Sequence, residues 1–427
     1  MSESARRRRL DVLDASSFHP RYVVWELTLR CDHACTHCGS RAGVARETEL
    51  STAQALEVVE QLAAMGAGEV VLIGGEAYLH EGFLEVVRAL ATHAITPVMT
   101  TGGRGVDAAL ARAMRAAGLE RVSVSIDGLE ATHDLMRARQ GSYADGMRAL
   151  AACRAAGLGV SANTNFNRLN APDLEALYDA LREAGVRSWQ VQLTAPLGRA
   201  ADRPELLLQP WELLDLLPRI AALKARGLRE GLLIMPGNNL GYFGPEEGLL
   251  RSQRPEDGDH FGGCQAGRYV MGIESDGAVK GCPSLQTASY VGGHLTERSL
   301  ASIWDDTAPL AFTRARTRAD LHGFCATCPY ADTCLGGCSF TAHAFFGRPG
   351  DNPYCHFRAL HHAKRGLRER LVATDPASGR PFDHGLFEIV VEPASAPEPV
   401  RPPREQLVSI GRRPRPASRL RGSRRSR

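Results

Sequence analysis

The sequence contains no run of eighteen apolar residues, the length that would cross a bilayer core as a helix, although 44% of its 427 residues are hydrophobic. A helical membrane span is not expected. An export segment is missing too, because the basic cluster Arg6 to Arg9 leads into Leu10-Asp11-Val12-Leu13-Asp14 rather than into apolar sequence. Neither a Sec nor a twin-arginine signal is read, and cytoplasmic placement is the expectation. Charge of one sign is scarce: the formal net charge is +3, and the eight arginines between Arg412 and Arg427 outweigh it. The folded body therefore reads as mildly acidic, without the basic footprint of a specific nucleic-acid binder. No internal repeat is found.

Cysteine is what the sequence has in quantity. Eleven cysteines in an exported chain would suggest disulfides, whereas in an unexported chain of this size they point to metal ligation. A charged fraction of 23% is ordinary for globular proteins, and the length allows two or three cores.

From about Tyr22 to about Arg226 short β-rich runs alternate with amphipathic helical stretches, the pattern of parallel strands joined by crossover helices. Strands are expected at 22–28, 69–73, 96–101, 121–126, 159–165 and 188–194. A helix over 51–65 opens with a capping box of Ser51 and Gln54. Six such units predict an α/β fold: a partial (β/α)6 TIM-type barrel whose chemistry sits at the strand C-termini. Those ends carry Cys31, Gly74-Gly75-Glu76, Thr100-Thr101-Gly102-Gly103 and Ser125-Ile126-Asp127-Gly128.

The expected organisation is an N-terminal extension over 1–20, a core over 21–230, a Gly/Pro/Asn-rich bridge over 231–260 and a cysteine-rich domain over 261–365. A C-terminal segment over 366–392 and a disordered Arg/Pro-rich tail over 393–427 follow. Beyond Arg358 a helix is expected to continue to about Val372. For the tail, a solvated extension is expected over a contact with RNA or anionic lipid.

Cys31-Asp-His-Ala-Cys35-Thr-His-Cys38 follows the first strand directly. Three thiolates are one short of the four that complete a cubane cluster or a structural zinc site, which leaves one metal position open. Zinc completed by His33 or His37 is the alternative. Gly74-Gly75-Glu76 then lets backbone approach a ligand closely and supplies a carboxylate for an ammonium group.

Together this CxxxCxxC spacing and the Gly-Gly-Glu resemble the radical S-adenosylmethionine (radical SAM) superfamily over the whole core. The resemblance implies that Cys31, Cys35 and Cys38 ligate a [4Fe–4S] cluster whose open iron binds SAM. Reductive cleavage of SAM to a 5′-deoxyadenosyl radical, and hydrogen abstraction from a substrate, are the implied chemistry. It also implies cofactor contacts from His37 (adenine), Gly74, Gly75 and Glu76 (methionine amine), Ser125 and Asp127 (ribose or carboxylate) and Arg137. Ala77 stands where the family often has proline.

The second array runs Cys264-x12-Gly277-x4-Cys282, then Cys325-x2-Cys328-x5-Cys334-x3-Cys338-x16-Cys355. CxxC pairs favour a zinc ribbon equally well. In its full order, however, the array looks like the SPASM domain that follows radical SAM cores in peptide-modifying enzymes. By that resemblance Cys325, Cys328, Cys334 and Cys355 hold one auxiliary [4Fe–4S] cluster. Cys264, Cys282 and Cys338 hold a second, with Asp257, Asp259 or the substrate as candidates for its fourth ligand. Cys153 is read as a small core residue.

The implied substrate is a ribosomally made peptide or protein. Tetrapyrrole modification and sulfatase maturation are alternatives, the latter weakened because Pro283 stands where that pattern has a basic aspartate. A non-catalytic iron–sulfur electron carrier is the alternative of another class. A flavodoxin or ferredoxin-type reductant is the implied partner. About twenty residues before the first strand are too few for a leader-gripping domain, so recognition is expected from the core, the bridge or a separate leader-binding protein. Asn163, Asn165, Gln192 and Arg199 are candidate substrate contacts near strand ends, and no catalytic acid or base is identified.

Overall fold

The structure, a computed structural model, describes residues 18–253, 257–285 and 287–398. Seven strands run in parallel order, β1 (Tyr22–Thr28), β2 (Glu69–Gly74), β3 (Thr96–Thr101), β4 (Arg121–Ser125), β5 (Gly159–Phe166), β6 (Ser188–Leu193) and β7 (Leu233–Pro236). Six of them lie where alternation places them. The crossovers include α1 (Thr52–Ala64), α2 (Phe83–Thr92), α3 (Ala108–Ala116), α4 (Glu130–Met136), α5 (Ser142–Ala155), α6 (Leu174–Glu183) and α7 (Leu213–Glu230). The Ser51 capping box forms, with both reciprocal bonds present.

The sheet does not end with the core. β8 (Val270–Ile273) pairs in parallel with β1, Tyr22 opposite Val270 and Trp25 opposite Ile273. The antiparallel strands β9 (Ala278–Lys280) and β10 (Val291–His294) extend the same edge. The result is one ten-stranded sheet in the order β10-β9-β8-β1-β2-β3-β4-β5-β6-β7. Val23, Trp25, Met271, Ile273, Ile303 and Trp304 belong to one apolar core, so both cysteine regions stand on a common scaffold.

β7 lies inside the stretch expected as a bridge. The helix expected to run on to about Val372 is corrected: α9 (His356–Ala363) stops, Gly366 takes a positive φ of 69°, and β11 (Leu367–Asp375) begins. β11 pairs antiparallel with β12 (Leu386–Pro393), whose apolar run is visible in the sequence. A further helix, α8 (Ser339–Phe346), follows Cys338 directly. Cys153 is fully buried in the main core, as expected of packing. The tail from 399 onward and the first 17 residues lie outside the described residues. Among the described residues, no helix is long and apolar enough to cross a membrane.

Candidate active site

The loop after β1 is tied at both ends before it reaches its cysteines. Glu49 accepts from the Thr28 hydroxyl and from the Leu29 N–H, each at 2.7 Å, and the Cys31 N–H donates to the Gly43 carbonyl at 3.2 Å. Thr36 donates to the Met136 carbonyl through its N–H and its hydroxyl, and the Arg199 N–H holds the Cys38 carbonyl at 2.9 Å. The three thiols are thereby gathered over the C-terminal ends of the strands.

β2 meets this loop at two glycines. A side chain at Gly74, which has φ of 151°, would place Cβ 2.1 Å from the Thr28 carbonyl oxygen. At Gly75 Cβ would lie 2.1 Å from the Arg30 oxygen and 2.7 Å from Cβ of Cys31. Glycine is thus required for the strand end to touch the cysteine loop. Glu76 follows, buried, with the Thr101 hydroxyl donating to it at 2.5 Å and the Gly102 N–H at 2.7 Å. Burial nonetheless pushes its carboxyl up to about 7. Ligand atoms of Cys31, Asp32 and Glu76 lie within 4.8 Å of one another.

On the β4 side, Asp127 is fully buried and pairs with two basic side chains, Arg137 at 2.6 Å and His37 at 3.2 Å. Burial alone would raise its pKa, but Arg137 and His37 reverse the direction and hold the carboxyl far below the usual range. Arg137 also donates to Sγ of Cys35 at 3.4 Å. Five sequence-singled residues, Cys35, His37, Asp127, Arg137 and Ser125 at the end of β4, therefore sit in one corner, where His37 engages Asp127 directly.

The residues fit an iron–sulfur cluster. Burial, then the negative Glu76, pushes the Cys31 thiol up to about 12, and burial raises Cys35 against the pull of Arg137. Thiols of this kind become thiolates when a metal replaces the proton. Nδ1 of His33 and Nδ1 of His37 are buried without a protein hydrogen-bond partner, so the pocket retains polar groups for a bound molecule.

In the second region one cavity is lined by Cys325, Cys328, Cys334 and Cys355, together with Phe324 and Phe243. The four thiols that the resemblance groups are thus brought to a single hollow. The other three sense one another: burial, then Cys264 and Cys338, pushes Cys282 up to about 12, and burial, then Cys264, pushes Cys338 up to about 11. The rest of this environment leaves no signal in the sequence. The Tyr242 hydroxyl accepts from the Cys338 N–H at 3.0 Å and donates to the Asn238 carbonyl at 2.5 Å. Arg358 is buried and bonded to Asp351 at 2.6 Å and to both carboxylate oxygens of Glu369, while Asp351 accepts from the Cys325 N–H.

Other candidates are placed differently. Asp257 and Asp259 are exposed, and the Asp259 N–H donates to Ser252. Arg199 braces the first cysteine loop through the Ala42 carbonyl at 2.9 Å. Asn163 points a buried, unpartnered Oδ1 from β5, opposite Ser125 in the register. The Asn165 N–H donates to Asp127, and Gln192 lies one residue before the end of β6.

Residues 25–181 match the profile of the radical SAM superfamily, and residues 264–329 match that of the SPASM iron–sulfur cluster-binding domain. A mycofactocin maturase (MftC) of Mycobacterium ulcerans is 30% identical over 340 residues, covering 78% of this chain and 86% of the relative. An AdoMet-dependent heme synthase of Methanosarcina barkeri is 26% identical, covering 79% of this chain and 97% of that protein. In fold, the chain resembles Streptococcus suis SuiB bound to S-adenosylmethionine, with a TM-score of 0.62 at 15% identity over 82% of this chain and 80% of the other.

Proposed function

Because the chain belongs to the radical SAM superfamily and carries a SPASM domain that binds iron–sulfur clusters, we propose that this enzyme is a maturase acting on a ribosomally synthesised peptide or protein. The observation that carries the peptide reading is the 30% identity with a mycofactocin maturase, over 78% of this chain and 86% of that protein. When bound, the first cluster and SAM supply one-electron cleavage of a sulfonium to a 5′-deoxyadenosyl radical.

In this reading Cys31, Cys35 and Cys38 hold the SAM-binding cluster. Glu76 takes the methionine amine, held in place by Thr101 and Gly102, and Gly74 and Gly75 let that end of the cofactor approach the backbone. His37, Ser125, Asp127 and Arg137 form the wall facing the nucleoside and carboxylate. Arg137 also keeps positive charge beside Cys35, where thiolate charge accumulates. Cys325, Cys328, Cys334 and Cys355 hold a closed auxiliary cluster suited to electron transfer, and Cys264, Cys282 and Cys338 hold one with a position left for a substrate group. The domain division at 21–230, 231–260, 261–365 and 366–392 is kept as part of this proposal. A flavodoxin or ferredoxin-type reductant, a separate leader-binding protein and a cytoplasmic setting complete it.

A second reading, tetrapyrrole modification, is favoured by the heme synthase relative, which the chain matches over 97% of its length. For sulfatase-type maturation the position after Cys282 offers only the Pro283 carbonyl, which accepts from Lys280. The test is anaerobic reconstitution followed by reduction with SAM. About twelve irons and formation of 5′-deoxyadenosine are expected. Replacing Cys31, Cys35 and Cys38 by Ala should abolish that product and leave about eight irons. Absence of the product from fully loaded protein would overturn enzymatic function in favour of an electron carrier. A peptide encoded beside the gene should raise turnover and change mass, whereas a response to a porphyrin instead would select the second reading.

A further inference from the structure

Lys280 has no accessible surface, and none of the chemistry above uses it. Its ammonium donates to the Leu285 carbonyl at 2.7 Å and to the Pro283 carbonyl at 3.3 Å, two carbonyls that bracket the turn just after Cys282. Glu274 lies 2.5 Å away, but the same carboxylate is shared with Arg46 at 3.0 Å, which also pairs with Glu26. Lys280 and Arg46 thus share Glu274, and Arg46 has Glu26 and Asp276 as further carboxylates. The fourth side of Lys280 is the ring of Phe382, whose centroid is 4.1 Å from Nζ, within cation–π range.

Phe382 is held there at a cost. It is a buried non-glycine residue with φ of 54°, a left-handed conformation that persists only where the surroundings impose it. What imposes it is the first cysteine loop: the Phe382 N–H donates to the Gly39 carbonyl at 3.1 Å, and Arg41 donates to the Arg380 carbonyl at 3.1 Å and to Asp383 at 2.9 Å. The turn between β11 and β12 therefore touches the Cys38 loop on one side and fixes Lys280 against the Cys282 turn on the other.

We propose that Lys280 is a positioning and potential-setting residue for the cluster on Cys264, Cys282 and Cys338, its ammonium raising that cluster's reduction potential by favouring the more negative, reduced state. The inference rests on the assignment of that trio as cluster ligands. Net charge and hydrogen bonding around a cluster set its potential, and a buried cation acts in a poorly screening medium. Lys280 acts on that site through the Cys282 turn itself, since its ammonium is bonded to the Pro283 and Leu285 carbonyls.

The test is an EPR-monitored redox titration of reconstituted full-length protein in the Cys31/Cys35/Cys38→Ala background. The wave of interest is the one lost, with about four irons, in Cys264→Ala/Cys282→Ala protein. Lys280→Gln should move that wave to lower potential, and Lys280→Arg should keep it near the wild-type position. Glu274→Gln should move it upward, which keeps the proposal testable if Lys280→Gln fails to fold. Unchanged potentials in fully loaded Lys280→Gln or Glu274→Gln protein, or equal shifts for Gln and Arg at position 280, would overturn the proposal. If the cysteine pair removes neither wave nor iron, the trio assignment falls and the role of Lys280 with it.

Discussion

Arg137 is a buried cation of the first site. It pairs with a carboxylate that has no accessible surface and lies against a thiol that becomes negative on metal binding. Removing one member of a buried pair leaves the other charge uncompensated, which costs about 3–5 kcal/mol. Arg137→Met should therefore lower the unfolding midpoint of the metal-free protein as well as weaken SAM binding, and Arg137/Asp127→Met/Leu should recover most of the loss in stability. Thermal denaturation of the three proteins checks this. Lys224 poses the converse case, buried with Nζ on the Leu250 carbonyl at 2.7 Å. Burial, aided by Arg251, lowers its pKa to about 8, below the ordinary value of 10.5. The native state thus gives up its proton first, the unfolded chain holds more protons between those values, and stability rises with pH across the interval. Wild type should gain on Lys224→Met between pH 7 and pH 9.5, by no more than ~3 kcal/mol. Parallel stability curves for the two proteins would contradict it.

At the scale of elements, the decisive contact is the end of β2 against the loop after β1. A methyl group at Gly75 would collide with the Arg30 backbone and with Cβ of Cys31, neither of which can rotate away. Gly75→Ala should shift the Cys31 loop and cost the reconstituted protein about four of its irons and its SAM cleavage, while circular dichroism stays that of the wild type. Iron analysis decides it, and full loading would show that the loop yields. Much of this was legible in the sequence. Strands such as Val23-Val24-Trp25 announce themselves by composition and alternation, and cysteine spacing survives because loops fix it locally. β7 was not legible: its four residues end in Pro236 and follow Gly231, too short a run for periodicity to register. β11 was misread as helix because His356 to Ala363 sets a helical rhythm that only the left-handed Gly366 interrupts. The expected adenine contact of His37 is joined by its pairing with Asp127, which lies 90 positions along the chain, a separation that leaves no local pattern. Tyr242, which is bonded to Cys338 96 positions away, escaped notice for the same reason.

For the whole molecule, continuity of the sheet sets what can be separated. β1 carries the loop of the first three cysteines, and its two neighbours are β2 from the core and β8 from the second cysteine region. Trp25 and Val23 are fully buried between these layers, and Leu300 of the second region is tied by its N–H to Gln61 of α1 at 2.7 Å. A chain cut after residue 260 would leave β1 as an unprotected edge strand with an apolar face exposed, the arrangement that recruits other chains. Such a truncation should appear in the void volume in size-exclusion chromatography and should fail to load even the first cluster, although Cys31, Cys35 and Cys38 are all retained. The full-length protein with Cys325, Cys328, Cys334 and Cys355 replaced by Ser is the control that separates loss of scaffold from loss of metal. It keeps β8 paired with β1 and should still bind about four irons at the first site and cleave SAM. A soluble, iron-loaded 1–260 fragment would show instead that the core folds by itself and that the shared sheet is an accessory.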